Sequence, residues 1–331
     1  MALQTLTHRA RLEACLADGK LDRPPIALWR HFPVEDQSPG SLAGATIDFQ
    51  RTFDFDLVKV TPSSSYCIRD WGARDEWRGA AEGTRDYIVR VIQQPEDWAK
   101  LVPLDPEAGS LGAQLECLRL ITRELGDDTP VIQTIFSPLA QAKNLAGQEK
   151  LLVHLRRAPR AVAAGLEVIA ESTRRFIEAA RQTGIAGVFY AVQHAQYGLL
   201  SAEEYERFRR KFDLQVLEPA RVLWLNMLHL HGTEVMFDRF LDYPVAVINW
   251  HDRETTPDLG QAQKMFSGAL CGGLRRWETM VRGDPATVKA EANQAMRATQ
   301  GKRFILGTGC VLPIVTPRGN ILAARKSLDS R

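Results

Sequence analysis

Two histidines separated by one residue are the most chemically suggestive feature of the sequence. Residues 228–232 read LHLHG, which puts His229 and His231 two positions apart. On a β-strand both imidazoles would lie on the same face, because strand side chains alternate. Such a pair could hold one metal ion, or it could be a hydrogen-bonded polar pair lining a wet pocket.

A cysteine near the end of the chain could complete the same site. Cys310 lies in GTGCVLP, residues 307–313, where glycines let the backbone approach a ligand. Free cysteine is also commonly an inert buried side chain. Together with His229 and His231, however, it makes a His2Cys set, and three protein ligands with one open position are typical of catalytic zinc. We therefore predict a zinc site, with Glu234 and His194 left open as additional ligands.

The other histidines are concentrated where an active site would be. Five of the seven lie at or just past the end of a predicted strand, and the remaining two, His8 and His154, fall in predicted helices. We predict catalytic roles in proton transfer for His194 and for His251, which stands beside Asp252. The alternative is that each ring only hydrogen-bonds a loop.

A substrate pocket is predicted from further residues near strand ends. Arg30 could bind a carboxylate through two hydrogen bonds and is placed among the catalytic residues. Four residues are predicted to bind a small-molecule substrate, although core packing is the alternative for the aromatic ones: His31, Tyr190, Tyr197 and Trp250.

These residues must be positioned by a regular alternation of short apolar runs and longer helical patterns. The predicted strands cover residues 25–31, 57–62, 130–136, 186–193, 224–232, 245–252, 269–274 and 304–312. The predicted helices cover residues 3–18, 109–126, 157–182, 202–217, 257–267, 285–299 and 317–327. Eight strands alternating with helices predict an α/β fold, a (β/α)8 TIM barrel, whose active site lies at the carboxyl ends of the strands.

The main rival fold is an open doubly wound sheet, which uses the same alternation. The rival is disfavoured because no glycine-rich dinucleotide fingerprint follows the first predicted strand. Residues 69–91 interrupt the alternation after the second strand and are predicted to form a β-hairpin lid over the barrel mouth. With no linker or repeat in the sequence, we expect residues 1–331 to form a single domain.

Composition excludes several classes of function. The chain has 331 residues, 45% of them hydrophobic, and a formal net charge of +2, which gives no electrostatic footprint for nucleic acid. No apolar stretch reaches the ~18 residues of a membrane span, and the first residues lack a secretory pattern. The five cysteines are scattered and odd in number, so we expect free thiols and a cytoplasmic location.

Several motifs carry a family resemblance over nearly the whole length. They are PIALWRHFP, SPLAQAKNLAG at 137–147, GLLSAEEYERF, LHLHG, CGGL and ILGTGCVLPIVTPRGNI. With these segments the chain resembles the uroporphyrinogen decarboxylase superfamily. The resemblance implies a (β/α)8 barrel, in agreement with the pattern of strands and helices.

The decarboxylase branch of that superfamily fits the site residues poorly. Only Arg30 matches its substrate-binding arginines, and its aspartate position falls within TPSSS at 61–65. Its tyrosine, serine and histidine positions fall near Lys143, near Ala195 and on Cys310. The resemblance therefore argues against tetrapyrrole decarboxylation, unless Asp70 of the predicted lid supplies the missing carboxylate.

The methyltransferase branch fits better. Its members hold zinc with H-x-C on the fifth strand and a cysteine on the last, and His229 and Cys310 match that pattern. His231 replaces the family's cysteine. An imidazole in place of a thiolate makes the zinc a stronger Lewis acid, so an oxygen-bearing substrate such as a methyl ether or phenol suits it as well as a thiol.

The resemblance thus implies a zinc-dependent methyltransferase or demethylase that moves a methyl group between a small substrate and a corrinoid or thiol acceptor. The corrinoid would arrive on a separate partner protein, since no corrinoid-binding segment is evident. A decarboxylase of a tetrapyrrole or aromatic carboxylate is the alternative, and a barrel that binds a ligand without turnover is a third reading. Assembly as a homodimer stays open.

Overall fold

A seven-stranded parallel sheet forms the centre of the molecule, for which the computed structural model describes residues 5–329. The sheet curls into a TIM-like half-barrel, and its strands neighbour one another in chain order. Its strands are β1 (Val58–Val60), β4 (Val131–Phe136), β5 (Gly187–Val192), β6 (Met227–Leu230), β7 (Val247–Trp250), β8 (Ala269–Leu274) and β9 (Phe304–Thr308). Every residue of these strands is buried, as expected for a parallel sheet covered on both faces.

Helices lie between the strands, in the alternation that the sequence predicts. They are α1 (His8–Leu16), α2 (Pro39–Phe53), α3 (Gly109–Leu125), α4 (Pro138–Ala146), α5 (Gln148–Arg157), α6 (Pro159–Arg181), α7 (Ala202–Leu217), α8 (Leu259–Met265), α9 (Pro285–Thr299) and α10 (Arg318–Lys326). The predicted start of α7 is confirmed, since Ser201 and Glu204 cap each other's backbone N–H groups. Residues 3 and 4 of the first predicted helix lie outside the described residues.

The first predicted strand, residues 25–31, is not a regular strand. It pairs with the end of the chain only through isolated parallel bridges, Ile26 with Leu306 and Arg30 with Leu312. Pro24 and Pro25 explain the irregularity, because proline has no N–H group to donate to a ladder. Seven of the eight predicted strands are therefore confirmed, and the closed eight-stranded barrel is replaced here by a seven-stranded curled sheet.

The predicted hairpin after the second predicted strand is confirmed. The strands β2 (Arg74–Glu76) and β3 (Asp86–Val89) pair antiparallel, with a register shift between Arg74 and Asp75. Both strands lie largely at the surface, unlike the buried parallel strands. The hairpin is thus an insertion in the alternation and forms no part of the central sheet.

A buried carboxylate ties the first helix to the sheet. Asp56, just before β1, is fully buried and accepts hydrogen bonds from Arg11 at 2.6 Å, Arg23 at 2.7 Å and the backbone N–H of Ile26 at 2.7 Å. The ring of His8 lies 3.1 Å away. Within residues 5–329 no helix is long and apolar enough to cross a membrane.

Candidate metal centre

Four metal-binding side chains meet at the carboxyl ends of three strands. His229 lies on β6 and His231 directly after it, while His251 follows β7 and Cys310 follows β9. The ligand atoms of these four residues all lie within 4.8 Å of one another. The structure therefore brings together the three residues that the sequence suggests as ligands and adds His251 as a fourth. His229 and His251 are buried, and His231 and Cys310 keep some exposure.

The orientation of His229 is fixed by Asn249 on the neighbouring strand. Asn249 Oδ1 lies 2.7 Å from His229 Nδ1, and the Asn249 amide donates to the carbonyl oxygens of Cys271 and Thr308 at 2.8 and 3.0 Å. Because the amide nitrogen is occupied by two acceptors, Oδ1 must accept, so His229 donates from Nδ1. Its Nε2 is then unprotonated, which is the form that binds a metal.

His251 is oriented in a similar way by a carboxylate. Its Nδ1 lies 3.0 Å from Glu254 Oε2, and its Nε2 is buried without a hydrogen-bond partner among the described residues. Burial disfavours the charged ring, but Cys310 and Glu254 outweigh it and raise the pKa of His251 to about 9. Because Glu254 holds Nδ1, Nε2 is the nitrogen left for a ligand, and a metal ion would bind it by displacing its proton.

The thiol of Cys310 lies in an environment that favours the thiolate. Burial by itself opposes ionisation, but His229, His231 and His251 together hold the pKa of the thiol well below its ordinary value. Its sulfur is 3.7 Å from His231 Nδ1. Because the thiolate is the metal-binding form of cysteine, the cluster presents its sulfur in the state that zinc requires.

These donors fit a zinc ion. Zinc bonds to nitrogen and sulfur are ~2.0–2.3 Å long, which puts two ligands of one tetrahedral ion roughly 3.3–3.8 Å apart. The observed limit of 4.8 Å is within reach of small side-chain rotations. The unprotonated Nε2 of His229 and the orphaned, buried Nε2 of His251 are the atoms that a metal would satisfy.

A cavity of about 500 Å³ opens beside the cluster and shares His231 with it. Residues of the hairpin line it, among them Gly83, whose φ of +76° favours glycine. A Cβ atom at Gly83 would lie 2.5 Å from the Cβ atom of His31, so glycine lets the hairpin lie directly on that ring. Lys143, which follows β4 in α4, lines the same cavity.

Three basic groups around the cluster are forced toward their neutral forms. Burial lowers the pKa of Lys59 to about 7, and its Nζ lies 4.6 Å from the ring centroid of Phe189. Burial and the charge of Lys59 lower the pKa of His31 to about 3. Burial, Lys143 and His231 lower the pKa of His194 to about 3. Both ring nitrogens of His194 are buried without a partner among the described residues.

Two of the aromatic residues predicted to bind substrate lie in the core instead. The Tyr190 hydroxyl donates to Asp213 at 2.5 Å, and the Trp250 indole donates to the carbonyl oxygen of Pro257 at 2.8 Å. Both side chains are fully buried. Their polar atoms are already satisfied inside the protein, so we do not retain them as substrate-binding residues.

Three other residues lie apart from the cluster. Tyr197 is half exposed and does not line the cavity. The guanidinium of Arg30 lies 5.1 Å from the ring centroid of Phe32 and bonds the carbonyl oxygen of Ile314, and Arg30 is also absent from the cavity wall. Glu234 is exposed and contributes no atom to the four-residue cluster. The structure therefore offers no support for these three positions.

The sequence reasoning missed Asn249 and the ligand geometry of His251. The sequence did contain one indication that these residues belong together. The predicted strands at 224–232 and 245–252 are consecutive, and both carry polar side chains within an apolar run. In the structure β6 and β7 pair so that His229 stands directly opposite Asn249. Register between strands is decided by long-range packing, which the pattern of a single strand does not contain.

Comparison with known proteins finds relatives over nearly the whole chain. Residues 31–330 match the family described as Uroporphyrinogen decarboxylase (URO-D). The chain is 23% identical to the methylcobamide:CoM methyltransferase MtaA of Methanosarcina barkeri, with 99% of each chain covered. It is 22% identical to the methylcobamide:CoM methyltransferase MtbA of Methanosarcina mazei, covering 71% of this chain and 68% of that protein.

Solved structures show the same fold. A methyltransferase from Methanosarcina mazei superposes with a TM-score of 0.81 at 15% identity, covering 97% of this chain and 98% of that one. A B12-independent methionine synthase from Shewanella sp. W3-18-1 superposes with a TM-score of 0.61 at 9% identity, covering 92% and 91%. At these identities the likeness concerns the fold alone.

Proposed function

Because this chain belongs to the uroporphyrinogen decarboxylase family, we propose that it acts within that family as a zinc-dependent methyltransferase. It would move a methyl group between a small substrate and a corrinoid or thiol acceptor, as the names of its methylcobamide:CoM methyltransferase relatives suggest. The observation that carries the proposal is the cluster of His229, His231, His251 and Cys310 at the carboxyl ends of the strands.

We assign the metal to His229, His231 and Cys310, with His251 as the fourth donor within reach. A zinc ion held there supplies a Lewis acid for the heteroatom that gains or loses the methyl group. Cys310 contributes a negative charge as its thiolate, and Asn249 and Glu254 hold two of the rings in binding orientation. His194 stays a proposed proton carrier, because both of its ring nitrogens are buried without a partner among the described residues.

The corrinoid would be carried by a separate protein that docks at the mouth of the barrel. The hairpin of β2 and β3 lines the cavity and would serve as the lid over it. We also propose that residues 25–30 stand in the place of the eighth barrel strand. They bridge to the end of the chain at Leu306 and Leu312, and the carbonyl oxygen of Ile26 accepts a hydrogen bond from the backbone N–H of Asp56 beside β1.

Decarboxylation of a tetrapyrrole is not favoured by any feature of the cavity. Ser63 and Ser64 line it where the decarboxylases carry a carboxylate, and Cys310 stands at the position of their histidine. Asp70 does not supply the missing group. Both of its oxygens accept from the backbone N–H of Ser110 at the start of α3, and the residue is exposed.

Loss of the cysteine ligand tests the proposed function. We expect protein purified without a tag to hold one zinc per chain and to consume methylcobalamin in the presence of a thiol. In Cys310→Ala we expect the zinc to be lost and methyl transfer to fall by about 100-fold or more, because a ligand of the catalytic metal is missing. Metal content is measured by mass spectrometry and methyl transfer by the absorbance of the corrinoid.

The matched control is Cys117→Ala, which removes a fully buried thiol from α3, a helix outside the cluster. This variant should keep both zinc and activity. The proposal is overturned if Cys310→Ala retains the zinc content and turnover of the natural protein.

A further inference from the structure

The tip of the hairpin is fastened to the mouth of the barrel at three points. The carbonyl oxygen of Ala81 accepts a hydrogen bond from the backbone N–H of Ile314 at 2.7 Å. Arg85 forms a buried ion pair with Asp36 at 2.8 Å. Glu82 supplies the third contact, with side chains that follow β8. Together these contacts hold the hairpin against the loops that follow the strands.

The contact of Glu82 is an ion pair between the hairpin and the loop after β8. Its Oε1 accepts from Arg276 Nη1 at 2.8 Å and from the indole N–H of Trp277 at 3.3 Å. The side chain of Arg276 is 9% exposed and that of Glu82 is 34% exposed. Water screens such a pair less than it screens a pair on the open surface. Loss of either charge should therefore loosen the hairpin.

Arg276 also acts on the carboxylate that orients His251. Glu254 Oε2 lies 3.0 Å from His251 Nδ1. The pKa of Glu254 is lowered by its hydrogen bond with His251 and, to a smaller extent, by the charge of Arg276. Among residues 5–329 the ion pair of Arg276 is with Glu82, while Glu254 pairs with His251. Two carboxylates thus lie within reach of the charge on one guanidinium.

The guanidinium of Arg276 has an unused donor. Its Nε is buried without an acceptor among the described residues, while Nη1 donates to Glu82 and, at 3.5 Å, to the carbonyl oxygen of Val311. A buried donor without an acceptor is costly, and a buried charge without a counter-charge costs more. If Glu82 moved away with the hairpin, Arg276 would therefore gain by turning to Glu254.

We infer that Arg276 is a positioning residue that couples the hairpin to the metal centre. With the hairpin closed, Glu82 neutralises Arg276 and leaves Glu254 to orient His251. With the hairpin open, Arg276 draws Glu254 away, and the ring of His251 loses the partner that orients it. The inference deepens the proposed function and rests on it for the metal. Closing of the hairpin thus makes the fourth donor ready, so the complete ligand set forms when the cavity is covered.

Two single variants test the ion pair and the coupling on the full chain. Hydrogen exchange of the amides of residues 77–89 measures opening of the hairpin, and competition with a chromophoric chelator measures zinc affinity. In metal-free protein we expect Glu82→Gln and Arg276→Gln each to speed this exchange about 10-fold, because both break the ion pair. Zinc affinity should fall about 10-fold in Glu82→Gln, where Arg276 is free to take Glu254.

The double variant distinguishes coupling from a purely structural ion pair. Glu82→Gln/Arg276→Gln still has a loosened hairpin, but it has no guanidinium to draw Glu254 away. Its zinc affinity, like that of Arg276→Gln, should therefore stay within about 2-fold of the affinity of the natural protein. An ion pair that only stabilised the fold would not let the second substitution restore zinc binding.

The matched control is Glu76→Gln, which makes the same substitution in the same hairpin. Glu76 pairs with Arg78 at 3.1 Å, and both residues belong to the hairpin, so this ion pair does not cross to the loops of the barrel. The control should keep both the slow exchange and the zinc affinity of the natural protein.

The possible failures can be told apart. Unchanged exchange in both single variants overturns the role of the ion pair in holding the hairpin. Unchanged zinc affinity in Glu82→Gln, or an equal loss in Glu82→Gln and in the double variant, overturns the coupling. A natural protein that binds no zinc overturns the metal centre and the coupling with it, while exchange in metal-free protein still decides whether the ion pair holds the hairpin.

Discussion

Asn249 shows how a single neutral side chain can prepare a metal ligand. The two donors of its amide nitrogen and the one acceptor oxygen leave the ring of His229 only one tautomer. The sulfur of Cys310 depends on its neighbours in the same manner, since three histidines favour its thiolate. The protonation states of the candidate metal ligands are therefore set by the residues that contact them.

Removing that partner should weaken the metal site without abolishing it. In Asn249→Ala we expect zinc affinity to fall about 10- to 100-fold, the usual effect of losing a group that orients a ligand. The measurement is competition with a chromophoric chelator. Unfolding in urea provides the check on folding, because two carbonyl oxygens lose their donor, at a cost of about 1–3 kcal/mol each. An unchanged zinc affinity would show that Asn249 does not orient His229.

At the scale of elements, the first helix depends on one carboxylate. Asp56 is the shared acceptor for Arg11 of α1, for Arg23 and for the backbone of Ile26, so it joins three consecutive segments at the amino-terminal side of the sheet. Burial alone would raise the pKa of Asp56, but His8 and Arg23 outweigh it and hold the pKa well below its ordinary value. The ionised form therefore stabilises the fold.

We expect Asp56→Asn to lower the free energy of unfolding at pH 7 by about 3–5 kcal/mol, because two buried arginines lose their counter-charge. A carboxylate with a depressed folded pKa contributes fully above its unfolded pKa of about 3.9 and loses that contribution as the pH falls further. The difference between the natural protein and the variant should thus persist from pH 7 to 5 and shrink below pH 4.

Urea unfolding at each pH measures this difference. The control is Asp48→Asn on the exposed face of α2, which should change stability by no more than about 0.5 kcal/mol. A loss of the same size in both variants would mean that the buried network has no special role.

At the scale of the whole molecule, the cluster joins parts of the chain that are far apart in sequence. Its four residues lie on or just after β6, β7 and β9, and they meet because the carboxyl ends of parallel strands all lie on one side of the sheet. A metal at this point would cross-link three strands. Its binding free energy is then added to the stability of the folded protein.

Metal removal should therefore lower thermal stability. With free zinc at about 100 times its dissociation constant, binding adds about 2.7 kcal/mol, which corresponds to a rise in Tm of roughly 5 °C for a chain of this size. We expect EDTA to reverse this rise in the natural protein and to leave the Tm of Cys310→Ala unchanged. Calorimetry with and without EDTA measures both. A natural protein whose Tm ignores EDTA would contradict a zinc site that ties the strands together.

The sequence by itself determined much of this molecule because its information is local. Seven strands, most of the helices and the hairpin follow from residues close together in the chain, whose apolar spacing and turn residues dictate local backbone geometry. The pairing of His229 with His231 on one face follows from the two-residue period of a strand. Cys310 was identified by the same reasoning, from the glycines around it.

Only the tertiary structure decided which face of each strand points inward and which residues of neighbouring strands pair. Phe189 stacks on His229 inside the sheet, so the two-residue period turns its neighbour Tyr190 outward to Asp213 in α7. On β7 the inward Asn249 likewise leaves Trp250 to pack outward against Phe237. The alternation of side chains is local. The choice of inward face and the register between strands depend on burial and on backbone pairing between separate segments of the chain, which no single segment encodes.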